Sequence, residues 1–298
     1  MITLEDLAEL ALDHRADLSA PIAEMQIGSE SFDTDHAPVI MGTVNLSRDS
    51  TYRESVAVST QSAIRKARVM AVEGAQLVDV GAESTTARAQ RVTPDAQLAS
   101  LVPVVKQLSA DGIAVSVETY EPGVAAAALD AGAVVVNLTG VEHEDAVLDL
   151  VAEHDASVIL CYSGGRNVRE VTDLDLDADP LPVLLDHFAA RIDSARARGV
   201  DRIAIDPGMG FYYGNLTDPM TRVRHQARVL LSTFRLRTLG RPVCNALPHA
   251  FDLFEENFRT AEGFFAVLAR LGGSGILRTH EVPQVRSVVR ALGSLDAT

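Results

Sequence analysis

The sequence predicts an α/β protein that folds as a (β/α)8 TIM barrel, preceded by a short N-terminal helical extension. Eight short apolar runs recur along the 298 residues, and helix-like segments separate most of them. Most of these runs end on a polar residue, and the length suits a barrel of roughly 250 residues. An open, doubly wound sheet is the alternative. It would more naturally carry a glycine-rich dinucleotide fingerprint after the first strand, where this chain reads Gly42-Thr43-Val44-Asn45.

The N-terminal part is predicted to lie outside the barrel. Leucines recur at helical spacing over residues 4–19, which indicates a short amphipathic helix. We expect an irregular acidic segment from there to about Ala37, with packing or dimerisation as its use. The predicted division is therefore an extension at residues 1–37 and a single barrel domain at residues 38–298.

The predicted barrel elements alternate in chain order. The strands are expected at residues 38–44, 76–80, 113–117, 133–136, 157–160, 203–205, 242–244 and 275–277. The helices are expected at residues 59–73, from 94 onward, and at 121–131, 183–198, 218–239, 258–271 and 282–292. Gly74 is a plausible C-terminal cap of the first of these helices, and Thr93-Pro94 is typical of a helix start. Polar loops at residues 46–53 and 83–88 follow the first two strands.

Composition excludes several classes of partner. A net charge of -15 argues against nucleic acid and against an anionic membrane surface. No apolar run approaches the ~20 residues that cross a membrane, and no signal peptide is evident. Cys161 and Cys244 both fall in apolar runs, so buried thiols in a reduced, cytoplasmic protein are the simpler interpretation, with a disulfide as the alternative.

Polar residues that close the strands should share one face, because the carboxyl ends of barrel strands converge. The expected cup contains Asn45, Glu83, Glu118, Asn137, Asp206, Asn245, Arg278 and His280. Acids and amides beside an Arg-x-His pair suit a hydrogen-bonding heterocycle that carries an anionic group. The plainer alternatives are a turn aspartate at Asp206, a rim salt bridge at Arg278 and a helix cap at His280.

Metal and nucleophile signatures are weak in this sequence. The eight histidines are scattered and form neither His-x-His nor His-Glu-x-x-His, so a protein-built zinc site is not expected. No Gly-x-Ser-x-Gly elbow occurs. Mg²⁺ held by one amide oxygen and a substrate pyrophosphate is compatible with the sequence, because Mg²⁺ needs few protein ligands.

Six motifs occur in the order and setting seen in dihydropteroate synthases, and the sequence resembles that family over about residues 38 to 293. The motifs are Met41-Gly42-Thr43-Val44-Asn45 with Asp49-Ser50, Gly81-Ala82-Glu83-Ser84-Thr85, Ser116-Val117-Glu118-Thr119-Tyr120, Val136-Asn137, Asp206-Pro207-Gly208-Met209-Gly210-Phe211 and Arg278-Thr279-His280-Glu281-Val282. The Asp-Pro-Gly-x-Gly-Phe and Arg-x-His elements are specific when they are found together.

The resemblance implies a pterin-binding (β/α)8 barrel that condenses a 6-hydroxymethyl-dihydropterin pyrophosphate with p-aminobenzoate and releases pyrophosphate in the presence of Mg²⁺. It implies a homodimer. By position it assigns metal and pyrophosphate binding to Asn45, pyrophosphate binding to Arg278 and His280, pterin binding to Glu118, Asn137 and Asp206, and a place in the mobile first loop to Asp49. Asp49, Glu118 and Asp206 are the expected catalytic residues, and Thr85, Asn245 and His249 complete the expected substrate-binding set.

The sequence departs from the family pattern mainly on the acceptor side. Glu118 stands where the family has Asp, and the second loop reads Ser84-Thr85-Thr86-Ala87 in place of Ser-Thr-Arg-Pro. The Ser-Arg-Lys after strand seven reads Leu247-Pro248-His249. Three functions stay open on the sequence. They are a pterin transferase using p-aminobenzoate or an altered acceptor, a methyl-tetrahydrofolate-binding methyl-transfer domain, and a non-catalytic pterin-binding homologue.

Overall fold

The chain begins with two short helices and a hairpin that lies under the barrel. In this computed structural model the first elements are α1 (Leu4–Asp13), α2 (Arg15–Leu18), β1 (Met25–Ile27) and β2 (Glu30–Phe32). The structure describes residues 2–47, 49, 52, 56–84, 89–170, 172–211 and 213–295.

The hairpin corrects the sequence prediction of an irregular segment. Met25 and Ile27 alternate into the barrel core, and Gly28 takes the left-handed backbone conformation of the tight turn. The hydroxyl of Ser157 donates to the carbonyl of Gln26 over 2.7 Å. Because Ser157 begins a barrel strand, the hairpin lies at the amino-terminal end of the barrel. Strands of three residues are too short for their alternation to be evident in sequence. The predicted single helix over residues 4–19 is likewise interrupted, at His14.

Eight parallel strands form the barrel, which confirms the predicted fold class. They are β3 (Val39–Asn45), β4 (Leu77–Gly81), β5 (Val115–Thr119), β6 (Val135–Leu138), β7 (Ser157–Cys161), β8 (Ile203–Asp206), β9 (Cys244–Ala246) and β10 (Ile276–Thr279). Their order in the sheet is β8-β7-β6-β5-β4-β3-β10-β9. A parallel bridge between Ile205 and Val243 joins the two end strands, and the amide of Ile205 donates to the carbonyl of Pro242 over 3.1 Å.

Helices cover the outside of the strands. They are α3 (Thr60–Glu73), α4 (Pro94–Ala110), α5 (Pro122–Asp130), α6 (Glu144–Glu153), α7 (Leu181–Ala197), α8 (Pro219–Ser232), α9 (Phe251–Phe254), α10 (Ala261–Leu271) and α11 (Val282–Leu292), with 3₁₀ helices at Thr233–Leu239 and Glu255–Thr260. The predicted caps are present, since Gly74 adopts φ 111° and the Thr93 side chain accepts from the Ala96 amide. The sequence did not indicate α6 as a separate helix. Within the described parts of the chain, no helix has both the length and the apolar character needed to cross a bilayer.

Strand register determines which polar residues face the barrel interior. Thr43, Asp79 and Ser116 lie side by side on adjacent strands. Two residues further along, Glu118 lies beside Asn137. Because side chains alternate along a strand, both rows face the same way, and the second row lies nearer the carboxyl ends of the strands. The buried polar residues are thereby stacked beneath the mouth of the barrel.

Candidate active site

A cavity opens at the carboxyl ends of the barrel strands. The cavity and the open solvent at its mouth together occupy about 900 Å³. Six of the predicted cup and site residues line it, namely Asn45, Glu83, Glu118, His249, Arg278 and His280. The cup therefore forms at the end of the barrel where the sequence predicted it.

The centre of the site is an ion-pair network around Arg278. Its Nε donates to Asp79 Oδ2 over 2.8 Å, and its Nη2 pairs with Glu118 Oε2. Asp79 is fully buried and accepts two further hydrogen bonds, from Ser116 Oγ at 2.8 Å and from Asn137 Nδ2 at 3.1 Å. One guanidinium thus holds two carboxylates that stand on neighbouring strands.

Asp206 is a third buried carboxylate beside this network. Its Oδ1 accepts from the Gly208 amide over 2.8 Å, and the Cys244 thiol also hydrogen-bonds to it. Gly208 has φ 79°, and a β-carbon there would collide with the carbonyl oxygen of Tyr162. The Asp-Pro-Gly sequence therefore makes a turn in which the third position must be glycine, and the turn holds the aspartate at the end of β8.

Among the described residues, three buried carboxylates surround the Arg278 guanidinium and leave this part of the site with excess negative charge. Burial raises the pKa of Glu118 to about 7, and Arg278 only partly opposes this increase. Burial likewise raises the pKa of Asp206 to about 6, against the opposing hydrogen bond from Gly208. Near neutral pH, Glu118 is therefore partly protonated, and Asp206 becomes protonated at slightly lower pH. A ligand that donates hydrogen bonds to carboxylates would stabilise their ionised forms.

A second cluster lies beside the cavity around Glu262, on α10. Glu262 Oε1 accepts from His280 Nδ1 at 2.9 Å and from His249 Nδ1 at 3.1 Å. Burial lowers the pKa of His280 to about 4, so the imidazole is neutral near pH 7. The Tyr52 ring stacks on His280 with a centroid separation of 4.5 Å, and its hydroxyl donates to Glu281.

Asn137 and Asp206 are buried behind the cavity rather than in its wall. Asn137 is 3% exposed and Asp206 is 4% exposed. Asn137 and Arg278 bind the same oxygen of Asp79, so Asp79 links this deeper layer to Arg278 in the cavity wall. Of the predicted pterin-binding residues, Glu118 lines the cavity directly.

Asn245 lies elsewhere, which corrects its place in the predicted cup. It is fully buried, and its Nδ2 donates to Ser274 Oγ at 2.8 Å and to Thr233 Oγ1 at 3.1 Å. In the sheet it pairs with Leu277, which packs among the outer helices. The sequence placed the strand at residues 242–244 with Asn245 after its end. The observed β9 extends to Ala246, and the alternation turns Asn245 toward the helices.

The predicted loop residues are only partly described. Asp49 is exposed and connects the first loop to the second, since its Oδ2 accepts from the Gln90 amide at 3.1 Å and its carbonyl accepts from Ser84 Oγ at 3.2 Å. Thr85 lies outside the described residues.

Sequence reasoning missed three residues of the site. Asp79 had a signal in the sequence, because a single acid inside an otherwise apolar strand is buried only where it has polar partners. Glu262 had a weaker signal, as an acid at the start of an otherwise apolar helix. Tyr52 had none, since a tyrosine in a polar loop is ordinarily exposed.

Comparison with known proteins assigns the family. A model described as "Pterin binding enzyme" matches residues 41–280, from the first barrel strand to the residue after the last. The chain belongs to the pterin-binding enzyme family. This confirms the resemblance stated from the motifs.

Named relatives of this pterin-binding chain are dihydropteroate synthases. It is 30% identical over 268 residues to the Bacillus subtilis dihydropteroate synthase, covering 86% of this chain and 88% of that protein. The Xanthomonas albilineans dihydropteroate synthase solved with 4-aminobenzoic acid has a TM-score of 0.77 at 27% identity, covering 93% of this chain and 99% of that chain. The Burkholderia cenocepacia dihydropteroate synthase complexed with 7,8-dihydropteroate has a TM-score of 0.74 at 25% identity, covering 92% and 96%.

The raised pKa of Glu118 predicts a specific pH dependence of stability. A folded-state pKa near 7 against 4.5 in the unfolded chain means that the folded protein binds the proton more tightly. The stabilisation is complete below pH about 4.5 and is lost as pH rises through about 7. Urea unfolding at stepped pH should show the unfolding free energy of the protein falling relative to Glu118→Gln across this window.

The exposed substitution Glu30→Gln is the matched control, and its difference from the parent should not follow this course. If the difference for Glu118→Gln stayed constant, or rose with pH, Glu118 would be an ordinary ionised partner of Arg278. The description of Glu118 as an acid with a raised pKa would then be wrong.

Proposed function

We propose that this pterin-binding enzyme is a dihydropteroate-synthase-like transferase. It would condense 6-hydroxymethyl-dihydropterin pyrophosphate with p-aminobenzoate, or with an acceptor altered from it, and release pyrophosphate. The observation that carries the proposal is the set of carboxylates, amide and guanidinium beneath the barrel mouth of a chain of this family. The bound 4-aminobenzoic acid and 7,8-dihydropteroate in the two solved relatives support the choice of substrates.

The buried acids suit the donor-rich edge of a pterin. Its amino group and ring N–H present adjacent donors, and a carboxylate accepts such a pair in a bidentate manner. Glu118 would meet the ring first because it lines the cavity, with Asn137 and Asp206 deeper. The ring would displace the Arg278 guanidinium from Glu118. Arg278 would then pair with the pyrophosphate, next to His280.

The reaction needs charge separation that this site can stabilise. The bond between the pterin methylene carbon and the pyrophosphate oxygen breaks, the amine nitrogen bonds to that carbon, and the amine loses a proton. Positive charge that develops on the methylene lies near the carboxylates, while Arg278 and His280 face the departing anion. Asp49, in the first loop, is proposed to act over the mouth of the cavity.

Mg²⁺ is proposed to assist through Asn45. The Asn45 amide oxygen is a hard donor at the end of β3 and lines the cavity, which suits an ion held mainly by water and substrate oxygens. Bound there, Mg²⁺ would neutralise charge on the leaving pyrophosphate. A homodimer and a cytoplasmic location complete the proposal. Family membership supports the dimer, and two buried free thiols are compatible with a reducing compartment.

The acceptor is proposed to bind along the part of the cavity where the chain departs from the family pattern. Pro248, from the segment that departs from the pattern, lines the cavity together with Met209, Phe211, Phe251 and the cation Arg222. The only ion pair that the described residues give Arg222 is a 3.7 Å contact with Asp252, a side chain that is 63% exposed. This site would pack an aromatic ring against the apolar residues and pair a carboxylate with Arg222. An aminobenzoate has both groups.

The direct test of the transferase is pyrophosphate release. The protein with Mg²⁺, pterin pyrophosphate and p-aminobenzoate should release pyrophosphate and form dihydropteroate, each requiring both substrates. Asp206→Asn should lower kcat/KM at least roughly 100-fold, as expected for losing a buried charged contact. The exposed Asp13→Asn is the control and should retain the parent rate. Tight pterin binding without turnover for any amine would contradict the transferase and favour a binding protein.

If Arg222 binds the carboxylate of the acceptor, replacing Arg222 should weaken the preference of the enzyme for a carboxylate-bearing acceptor. The parent enzyme should have a higher kcat/KM for p-aminobenzoate than for neutral p-aminobenzamide. Arg222→Gln should reduce the ratio of these two kcat/KM values by roughly 10-fold or more, because a charged hydrogen bond to the carboxylate is lost. Arg224→Gln, on the exposed face of the same helix, is the matched control. An unchanged ratio in Arg222→Gln would remove Arg222 from the acceptor site while leaving the transferase proposal intact.

A further inference from the structure

We propose that His249, Glu262 and His280 form a binding site for one divalent transition-metal ion, of the Zn²⁺ or Fe²⁺ class, at the edge of the cavity. One ligand atom from each residue takes part, the Nδ1 atoms of the two histidines and an oxygen of the carboxylate. All three lie within 4.8 Å of one another. The proposal does not depend on the proposed transferase activity.

The spacing of the donors matches a coordination sphere. The two Nδ1 atoms lie 2.9 Å and 3.1 Å from the same oxygen of Glu262. Ligands about 2.0–2.2 Å from a metal and separated by 90–110° lie roughly 3.0–3.5 Å apart. The separations between each histidine nitrogen and the carboxylate oxygen are therefore already close to those of a coordination sphere. A metal would bind once the imidazole protons occupied Nε2.

Hydrogen bonds fix the orientation of the Glu262 carboxylate, as is usual for a carboxylate that binds a metal. Glu262 is 1% exposed, and its second oxygen accepts from Thr279 Oγ1, from the His280 amide at 2.8 Å and from the Glu281 amide at 3.1 Å. These donors fix the orientation of the carboxylate and leave the other oxygen as a single ligand. Such supporting hydrogen bonds accompany protein metal sites and raise their affinity.

The charge of the cluster favours a cation. Among the described residues, the groups that contact the Glu262 carboxylate are two histidines and neutral donors. The neighbouring acid, Glu281, has its own partner in Arg259, with Nε 2.9 Å from Oε1. A buried carboxylate between two imidazoles is satisfied by hydrogen bonds alone only if both rings keep their protons on Nδ1. A divalent ion would satisfy the same three atoms and supply the missing positive charge.

The ligand types select the class of metal. Two imidazoles and one carboxylate are typical of zinc and of non-haem iron, whereas Mg²⁺ prefers oxygen ligands and water. Both histidines line the cavity, so the remaining coordination positions would open toward it. This site differs from the one proposed for Mg²⁺ at Asn45 in its residues and in its ligand chemistry.

Metal titration of the full chain tests the proposal. Protein freed of metal with a chelator and placed in excess Mg²⁺ should bind one Zn²⁺ per chain by calorimetry. With Co²⁺ it should develop visible absorption bands from nitrogen and oxygen coordination. Zn²⁺ should raise the melting temperature, because it binds only the folded state.

Matched variants make the outcome decisive. His249→Ala removes a partly exposed ligand and should weaken Zn²⁺ binding at least 10-fold, with loss of the Co²⁺ bands and of the Zn²⁺-dependent melting shift. Glu262→Gln should do the same. His36→Ala, which removes an exposed histidine, should leave all three readouts unchanged. Equal Zn²⁺ affinity in His249→Ala and the parent, or no binding in the parent, would overturn the proposal and leave Glu262 as a hydrogen-bonding support for the two rings.

Discussion

The pairing of Arg278 with Asp79 and Glu118 is the interaction on which the site depends. It joins β10 to β4 and β5 across the mouth of the barrel, and it is the means by which two buried carboxylates are tolerated there. Asn137 and Ser116 both donate hydrogen bonds to Asp79, which orients their side chains. Among the described residues Asp206 has no ion pair of comparable quality, so this part of the cup has more acid than cation and can accept a donor-rich ring.

The barrel and most of its strands could be predicted from the sequence because the physical signals were local. Each strand is a short apolar run, and helix caps such as Thr93 and Gly74 are determined by neighbouring residues. The exact ends and register of the strands were harder to predict from the sequence. The observed β9 includes Asn245 rather than ending before it, and the alternation of the strand turns this side chain to the helix layer, where it binds Ser274 and Thr233. The β1–β2 hairpin was hidden because strands of three residues show no clear alternation.

The site residues that lie at strand ends could be predicted from the sequence. Those that depend on partners far away in the sequence could not. Asn45, Glu118, Arg278 and His280 lie at strand ends, and this position alone places them in one cup. Glu262 could not, because it comes from a helix and acts through residues 13 and 18 positions away in sequence. The expectation of no protein-built zinc site rested on the absence of short histidine motifs. The fold brings His249 and His280 to one carboxylate without such a motif.

The central claim is that a pterin replaces Arg278 as the partner of Glu118 and binds with its donor-rich edge toward Glu118, Asn137 and Asp206. A crystal structure with a bound dihydropterin measures this directly. We expect the amino edge within hydrogen-bond distance of these three side chains, and the Arg278 guanidinium separated from Glu118 while it still contacts Asp79. A ligand bound elsewhere in the cavity, with the Arg278–Glu118 pair intact, would contradict the account.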